Sequence, residues 1–112
     1  MKSVQRPWGA FEVLLETEYC KVKKITVNKN HRLSSQYHHR RNEVWTVVKG
    51  IGLVTLETVD CAVVEGQVIN IPAGTTHRIK NTGNEDLIFI EVQHGTYFGE
   101  DDIVRLEDDY ER

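Results

Sequence analysis

The chain has 112 residues, 39% hydrophobic and 28% charged, the composition of a soluble globular protein with one core and no room for a second. Its formal net charge of −3 sets aside a general nucleic-acid binder, which would show a basic face and a high pI. Its longest apolar runs fall far short of the roughly 18 residues of a membrane span.

Residues 1–7 carry no apolar stretch of the kind that opens a secretory signal, so a cytoplasmic protein is expected, with neither nucleic acid nor membrane as partner. Cys20 and Cys61 are then read as reduced strand residues. Segments 11–16, 20–27, 43–49, 52–59, 63–71, 77–81 and 87–92 are short and rich in Val, Ile, Thr and aromatic residues, with polar or Gly, Pro and Asn punctuation between them. That spacing predicts an all-β sandwich or barrel, with residues 1–112 as a single domain.

Side-chain alternation along these strands carries further information. From Cys20, the face that holds Ile25 and Val27 also holds Lys23; if that face points inward, the lysine must meet an anion. A strand-end lysine reaching solvent is the other reading. Glu43 shares its face with Trp45 and Val47, where a carboxylate must be paired, hydrogen-bonded or bound to metal. In the last predicted strand, Leu87, Phe89, Glu91 and Gln93 alternate with Ile88, Ile90 and Val92, so both faces look buried. The second set is expected to meet another sheet or another subunit, and a homodimer is the economical expectation. The acidic C-terminal segment from Gly99 reads as solvated, with Ile103 and Val104 tucked against the body.

Chemistry concentrates in two stretches. Gln36 and His38 are two apart, so on a strand they leave the same face, and Glu43 joins them if the chain turns across 39–42. Gly66, Pro72, Gly74, His77 and Asn81 frame a tight turn that delivers one more histidine onto a following strand. A divalent ion needs three or four donors converging from separate strands, with positions left to water or substrate, and Gln36, His38, Glu43 and His77 meet that need. His31, His39 and His94 read as surface or loop histidines.

Taken together, the two stretches resemble the signature motifs of the cupin superfamily, G-x5-H-x-H-x4-E-x6-G and G-x5-P-x-G-x2-H-x3-N. Asn30 stands where the first glycine is usual and Gln36 where the first histidine is usual, while His38, Glu43, Gly50, Gly66, Pro72, Gly74, His77 and Asn81 keep the spacing. The resemblance implies a double-stranded β-helix, a jelly-roll barrel. Arg6-Pro7-Trp8-Gly9, the Leu33-Ser34 lead into Gln36 with Arg41, Glu43 and Trp45 beyond it, Ile71-Pro72 before His77, and the run from Ile90 through Tyr97 to Arg105 narrow it further. They are similar to the type II phosphomannose isomerase domain, usually found at the C-terminus of bifunctional mannose-6-phosphate isomerase/mannose-1-phosphate guanylyltransferases. The nucleotidyltransferase half is missing, so a free-standing isomerase domain without guanylyl transfer is expected. Lys29-Asn30, Ser35 and Glu111 depart from the family pattern, and Asn30 is expected to keep its turn because Asn tolerates a positive φ.

What this resemblance implies is the interconversion of mannose 6-phosphate and fructose 6-phosphate through a cis-enediol, chemistry that belongs with GDP-mannose biosynthesis. Type I phosphomannose isomerases, distant cupin relatives, hold zinc with Gln, His, Glu and His, so Zn²⁺ is the first expectation here and Co, Mn, Ni or Fe the alternatives. Glu91, Lys23 and Arg41 are the catalytic candidates, with Glu91 as the base; its other reading is that it orients a metal-ligating histidine or pairs with Lys23. Arg78, Gln93 and Arg105 are expected to bind the sugar phosphate, with Lys23 and Arg41 also possible at the phosphate. Two rival functions stand beside this one. One is another metal cupin enzyme such as a dioxygenase, and the other a non-catalytic sugar-phosphate-binding module that assists a nucleotidyltransferase.

Overall fold

Alternation of apolar and polar residues builds two antiparallel sheets that face each other across one core. The structure, a computed structural model, describes residues 3–110; Glu111 lies outside them. Its strands are β1 (Ser3–Arg6), β2 (Gly9–Glu16), β3 (Cys20–Val27), β4 (Ser35–His38), β5 (Arg41–Lys49), β6 (Gly52–Leu56), β7 (Val59–Val63), β8 (Val68–Ile71), β9 (His77–Asn81), β10 (Leu87–Gly95) and β11 (Ile103–Glu107). One sheet runs in the order β1-β2-β3-β10-β5-β8 and the other β11-β4-β9-β6-β7. This is the jelly-roll double-stranded β-helix that the motifs imply. No helix among the described residues is long and apolar enough to cross a membrane.

The interior is layered along the strands. Across β3, β10 and β5, Ile25, Phe89 and Val47 form one inward row. The next row toward the open end holds Lys23, Glu91 and Trp45, and the one after it Lys21, Gln93 and Glu43. The apolar rows pack against Val54, Val63 and Ile79 of the opposite sheet, all almost wholly buried. Burying each such side chain contributes about 1.5–3 kcal/mol, which lets the barrel tolerate a polar layer at its other end. Lys23, Glu43 and Glu91 all lie inside that layer, each at most 5% exposed. For Lys23 the inward reading is the one the structure adopts.

The strand boundaries differ from the sequence reading where turns intervene. The predicted strand 52–59 stops at Leu56 because Glu57 takes a left-handed φ of 55°, and Val59–Val63 then pairs back on β6. The predicted strand 63–71 is broken at Gly66, whose φ of +88° starts the turn into β8. The segment read as solvated is instead β11, paired along β4 with Ile103 opposite His38 and Arg105 opposite Gln36. Asn30 does hold its turn, at a φ of 68°. Cys20 and Cys61 are free thiols on β3 and β7. On the outer face of the larger sheet, Val22, Val44, Ile88, Ile90 and Val92 are half-buried, and Leu15, Val48 and Val68 are exposed.

Candidate metal centre

Two turns deliver the donors. β4 ends at His38, the chain bends at His39 and Arg40, and β5 returns Glu43 toward it. The buried carboxylate of Asp102 holds that bend, accepting from the backbone N–H groups of His39 at 3.2 Å and Arg40 at 3.0 Å. The second turn is strapped to the first: Gly74 N donates to His38 O at 2.7 Å and Ala73 N to Asn42 Oδ1 at 2.9 Å. Gly74 takes a φ of +83°, a region that favours glycine, and β9 then starts at His77, directly opposite Gln36 on β4. Asn81 closes the far end of β9 as a structural clamp, donating to Val27 O and Glu85 O and accepting from Gly83 N.

His38, Glu43 and His77 each bring one donor atom within 4.8 Å of the others, and all three are buried. His77 Nδ1 lies 2.9 Å from Thr75 O, which can only accept, so Nδ1 carries the proton and Nε2 offers its lone pair toward Glu43 Oε1 at 4.0 Å. A backbone carbonyl fixing the distal nitrogen in this way is the usual support of a metal-ligating histidine. Gln36 lines the same pocket with its Nε2 donating to Ser34 Oγ at 3.0 Å, so the donor it has for a cation is the amide oxygen. Burial, reinforced at His38 by Arg41, holds His38 down to about 2 and pulls His77 below its ordinary value, so both rings are neutral. Two neutral imidazoles, one carboxylate and one amide oxygen suit Zn²⁺ or a similar divalent ion. The discordant group is Arg41, whose guanidinium donates to Glu43 Oε2 at 2.9 Å and to His38 Nε2 at 2.8 Å.

Beside these donors sits a second carboxyl. Trp45 Nε1 is shared between Glu43 Oε1 at 3.0 Å and Glu91 Oε1 at 3.1 Å, and Gln93 Nε2 donates to Glu91 Oε2 at 2.6 Å. Burial, and then the Glu43 charge, push Glu91 up to about 8, so it holds a proton at neutral pH. The sequence pointed to Glu91 through strand parity; the indole bridge between the two carboxyl groups was not foreseen.

The pocket over these groups is rimmed by cations: Arg6, Lys23, Arg41, Arg78 and Arg105 line it, against Glu43, Glu91 and Glu100. Lys23 Nζ lies 3.7 Å from Glu100 and 4.5 Å from the centre of the Phe11 ring. Arg105 lines the mouth with no ion pair among the described residues. Arg78, expected at the phosphate, lines the pocket while also tying β9 to β11, with Nε on Leu33 O at 2.8 Å and its remaining nitrogens on Glu107. Gln93, expected to meet substrate, is fully buried and outside the lining, with its amide donating to Glu91 Oε2. Arg6, Ser34, Glu100 and Asp102 were missed as contributors. Arg6, Ser34 and Glu100 stand inside the motif stretches quoted above, and Asp102 passed for part of a solvated acidic run. His39 and His94 are exposed, and His31 stacks on Tyr110, so none of them joins the centre; His94 lies in β10 and not in a loop.

Comparison with known proteins places the chain in a family. Residues 1–108 match the family described as "Mannose-6-phosphate isomerase C-terminal". The chain is 48% identical over 111 residues to the xanthan biosynthesis protein XanB of Xanthomonas campestris pv. campestris, covering 99% of this chain and 24% of XanB. It is 46% identical over 109 residues to the alginate biosynthesis protein AlgA of Pseudomonas aeruginosa, covering 97% and 23%. To a mannose-1-phosphate guanylyltransferase of Klebsiella pneumoniae it is 39% identical, covering 99% and 24%. The chain thus spans about a quarter of the length of these curated relatives. Among solved structures, the capsular polysaccharide assembling protein CapF of Staphylococcus aureus superposes with a TM-score of 0.85 at 24% identity, over 95% of this chain and 32% of that one, which shows the fold. On the match across its length and the identity to these relatives, the chain belongs to the family of mannose-6-phosphate isomerase C-terminal domains.

Proposed function

We propose that the chain is a metal-dependent isomerase domain that interconverts mannose 6-phosphate and fructose 6-phosphate. The observation that carries this reading is that Glu43, His77 and a second, protonated carboxyl, Glu91, line one cation-rimmed pocket, with the buried donor of His38 within 4.8 Å of those of Glu43 and His77. Gln36, His38, Glu43 and His77 would hold the cation, which when bound supplies Lewis acidity to the oxygens on C1 and C2. The proton work falls to Glu91. Its ionised form takes the proton from C2 of the open-chain aldose and returns it to C1 on the same face of the enediol, while the O2 hydroxyl proton passes to the cis O1. A carboxyl whose pKa is raised to about 8 is a stronger base than an ordinary one, and it holds the proton between the two transfers. Trp45 and Gln93 keep both of its oxygens in place. Lys23 and Arg105, with Arg6 beside them, offer the phosphate charge-assisted hydrogen bonds at the mouth, and Trp8 and Phe11 form the apolar part of the wall.

One observation favours a second reading: relatives that match over this domain are named for guanylyl transfer, and the chain spans about a quarter of their length. A non-catalytic sugar-phosphate module that assists a nucleotidyltransferase accords with that. A coupled assay of fructose 6-phosphate formed from mannose 6-phosphate separates the two, run on Zn²⁺-supplied protein, chelated protein and His38→Ala. Turnover lost in both controls is the expected result; folded protein that binds the sugar phosphate but turns nothing over with Zn²⁺, Co²⁺, Mn²⁺ or Fe²⁺ would leave the module reading. The homodimer expected from the sequence stays part of this proposal, through the outer face of β3, β10 and β5. A sedimentation mass of one chain would remove it.

A further inference from the structure

We propose that Arg41 is a resident cation of this centre: its guanidinium occupies Glu43 and His38 while no metal is bound, and a divalent ion displaces it toward the pocket mouth. The proposal rests on the metal-centre reading above. Arg41 is 3% exposed on the inner face of β5, two residues before Glu43. Its Nε takes Glu43 Oε2 at 2.9 Å and its Nη2 takes His38 Nε2 at 2.8 Å. A guanidinium only donates and keeps its charge, so both contacts consume lone pairs. Those are the lone pairs a divalent ion would need at about 2.0–2.2 Å, and a second positive charge cannot share them. The two occupants therefore exclude one another at these donors.

The remaining nitrogen shows where the group can go. Arg41 Nη1 lies 3.5 Å from Phe98 O and 3.9 Å from Glu100 Oε2, on the side where Glu100 also reaches Lys23. The guanidinium thus bridges the buried donors and the mouth, and rotation of its flexible stem exchanges one set of partners for the other without moving β5. His77 keeps its Nε2 free of Arg41, so one ring donor is open to receive the ion before the exchange is complete. Once displaced, Arg41 stands with Lys23 and Arg105 as an added cation for an incoming anion. Metal and anion binding are then coupled: the ion pushes Arg41 out, the anion holds it there, and each tightens the other by the same factor.

The test is titration of Zn²⁺ into chelator-stripped full chain, wild type and Arg41→Met. The variant is expected to bind Zn²⁺ about tenfold or more tightly, because deleting the competitor removes the fraction of molecules whose site is closed. In the wild type, the ¹⁵N–¹H signal of Arg41 Nε should shift on Zn²⁺ addition, and inorganic sulfate should bind more tightly with Zn²⁺ present; in Arg41→Met, sulfate affinity should ignore Zn²⁺. Equal or weaker Zn²⁺ binding by the folded variant overturns the displacement, as does an unmoved Nε signal in Zn²⁺-loaded wild type. The Nε measurement decides alone if the variant does not fold. Zn²⁺ binding by neither protein is a different result, which overturns the metal centre itself and the displacement with it.

Discussion

Replacing Glu91 with glutamine should turn a dome of stability against pH into a plateau. Burial and the neighbouring Glu43 raise Glu91 from an ordinary 4.5 to about 8, so the folded chain keeps a proton that the unfolded chain gives up. Its contribution is complete below pH 4.5 and is lost as pH rises through 8. The histidines act in the opposite sense. His38, held down to about 2, and His77, also lowered, stay neutral when folded, so the unfolded chain takes up their protons below 6.5 and stability is lost on the acid side. Between 4.5 and 6.5 the histidines and the carboxyl act in opposite directions and their effects offset one another. Between 6.5 and 8 Glu91 acts alone, and stability falls by about 1.4 kcal/mol per pH unit, about 2 kcal/mol over that window. Glu91→Gln keeps the shape and has no proton to lose. Its new amide N–H can be met by Gln93, whose Oε1 is buried without a partner and would face it after a flip. Urea unfolding of chelated protein from pH 6.5 to 8 should therefore show a level variant whose margin over wild type widens by about 2 kcal/mol across the window. A wild type that stays level across the window, or a variant that falls as steeply, would refute the assignment.

Asn81→Ala removes the clamp on Val27 O, Glu85 O and Gly83 N, and should cost about 2 kcal/mol in urea or thermal unfolding, because Val27 O is orphaned in the core and the other two groups are partly buried. Trp45→Phe preserves the stacking on Phe89 at 4.6 Å but leaves Glu43 and Glu91 without their shared donor. The loss should be about 2 kcal/mol and larger at pH 8 than at pH 6.5, since an indole N–H favours the ionised carboxyl; an equal loss at both would contradict the bridge.

Period-two alternation and motif spacing carried much of this protein in the sequence alone. They pointed to the inward row from Leu87 through Phe89 to Glu91, to Lys23 sharing the face of Ile25, and to Gln36, His38, Glu43 and His77 as one group of donors. Apart from His77, which the motif spacing supplied, these are properties of residues near one another in the chain, and a strand's pleat makes them geometry directly. What the chain order could not carry was every feature that depends on which strands become neighbours. The pairing of β11 with β4 turned an apparently solvated tail into a wall of the pocket and brought Arg105 opposite Gln36. The neighbouring of β10 and β5 set Glu91 beside Trp45, and so allowed one indole to hold two carboxyl groups. Glu57 and Gly66 ended strands that composition alone would have continued, because a positive φ interrupts the ladder whatever the side chains prefer. Arg78, expected at the substrate, lines the pocket and is also held by partners far away in sequence, Leu33 and Glu107, while Gln93 is buried with its amide on Glu91. The identities of the donors were local, and a sequence expresses them; their partners, charges and access were set by contacts between distant strands, which only the closed barrel creates.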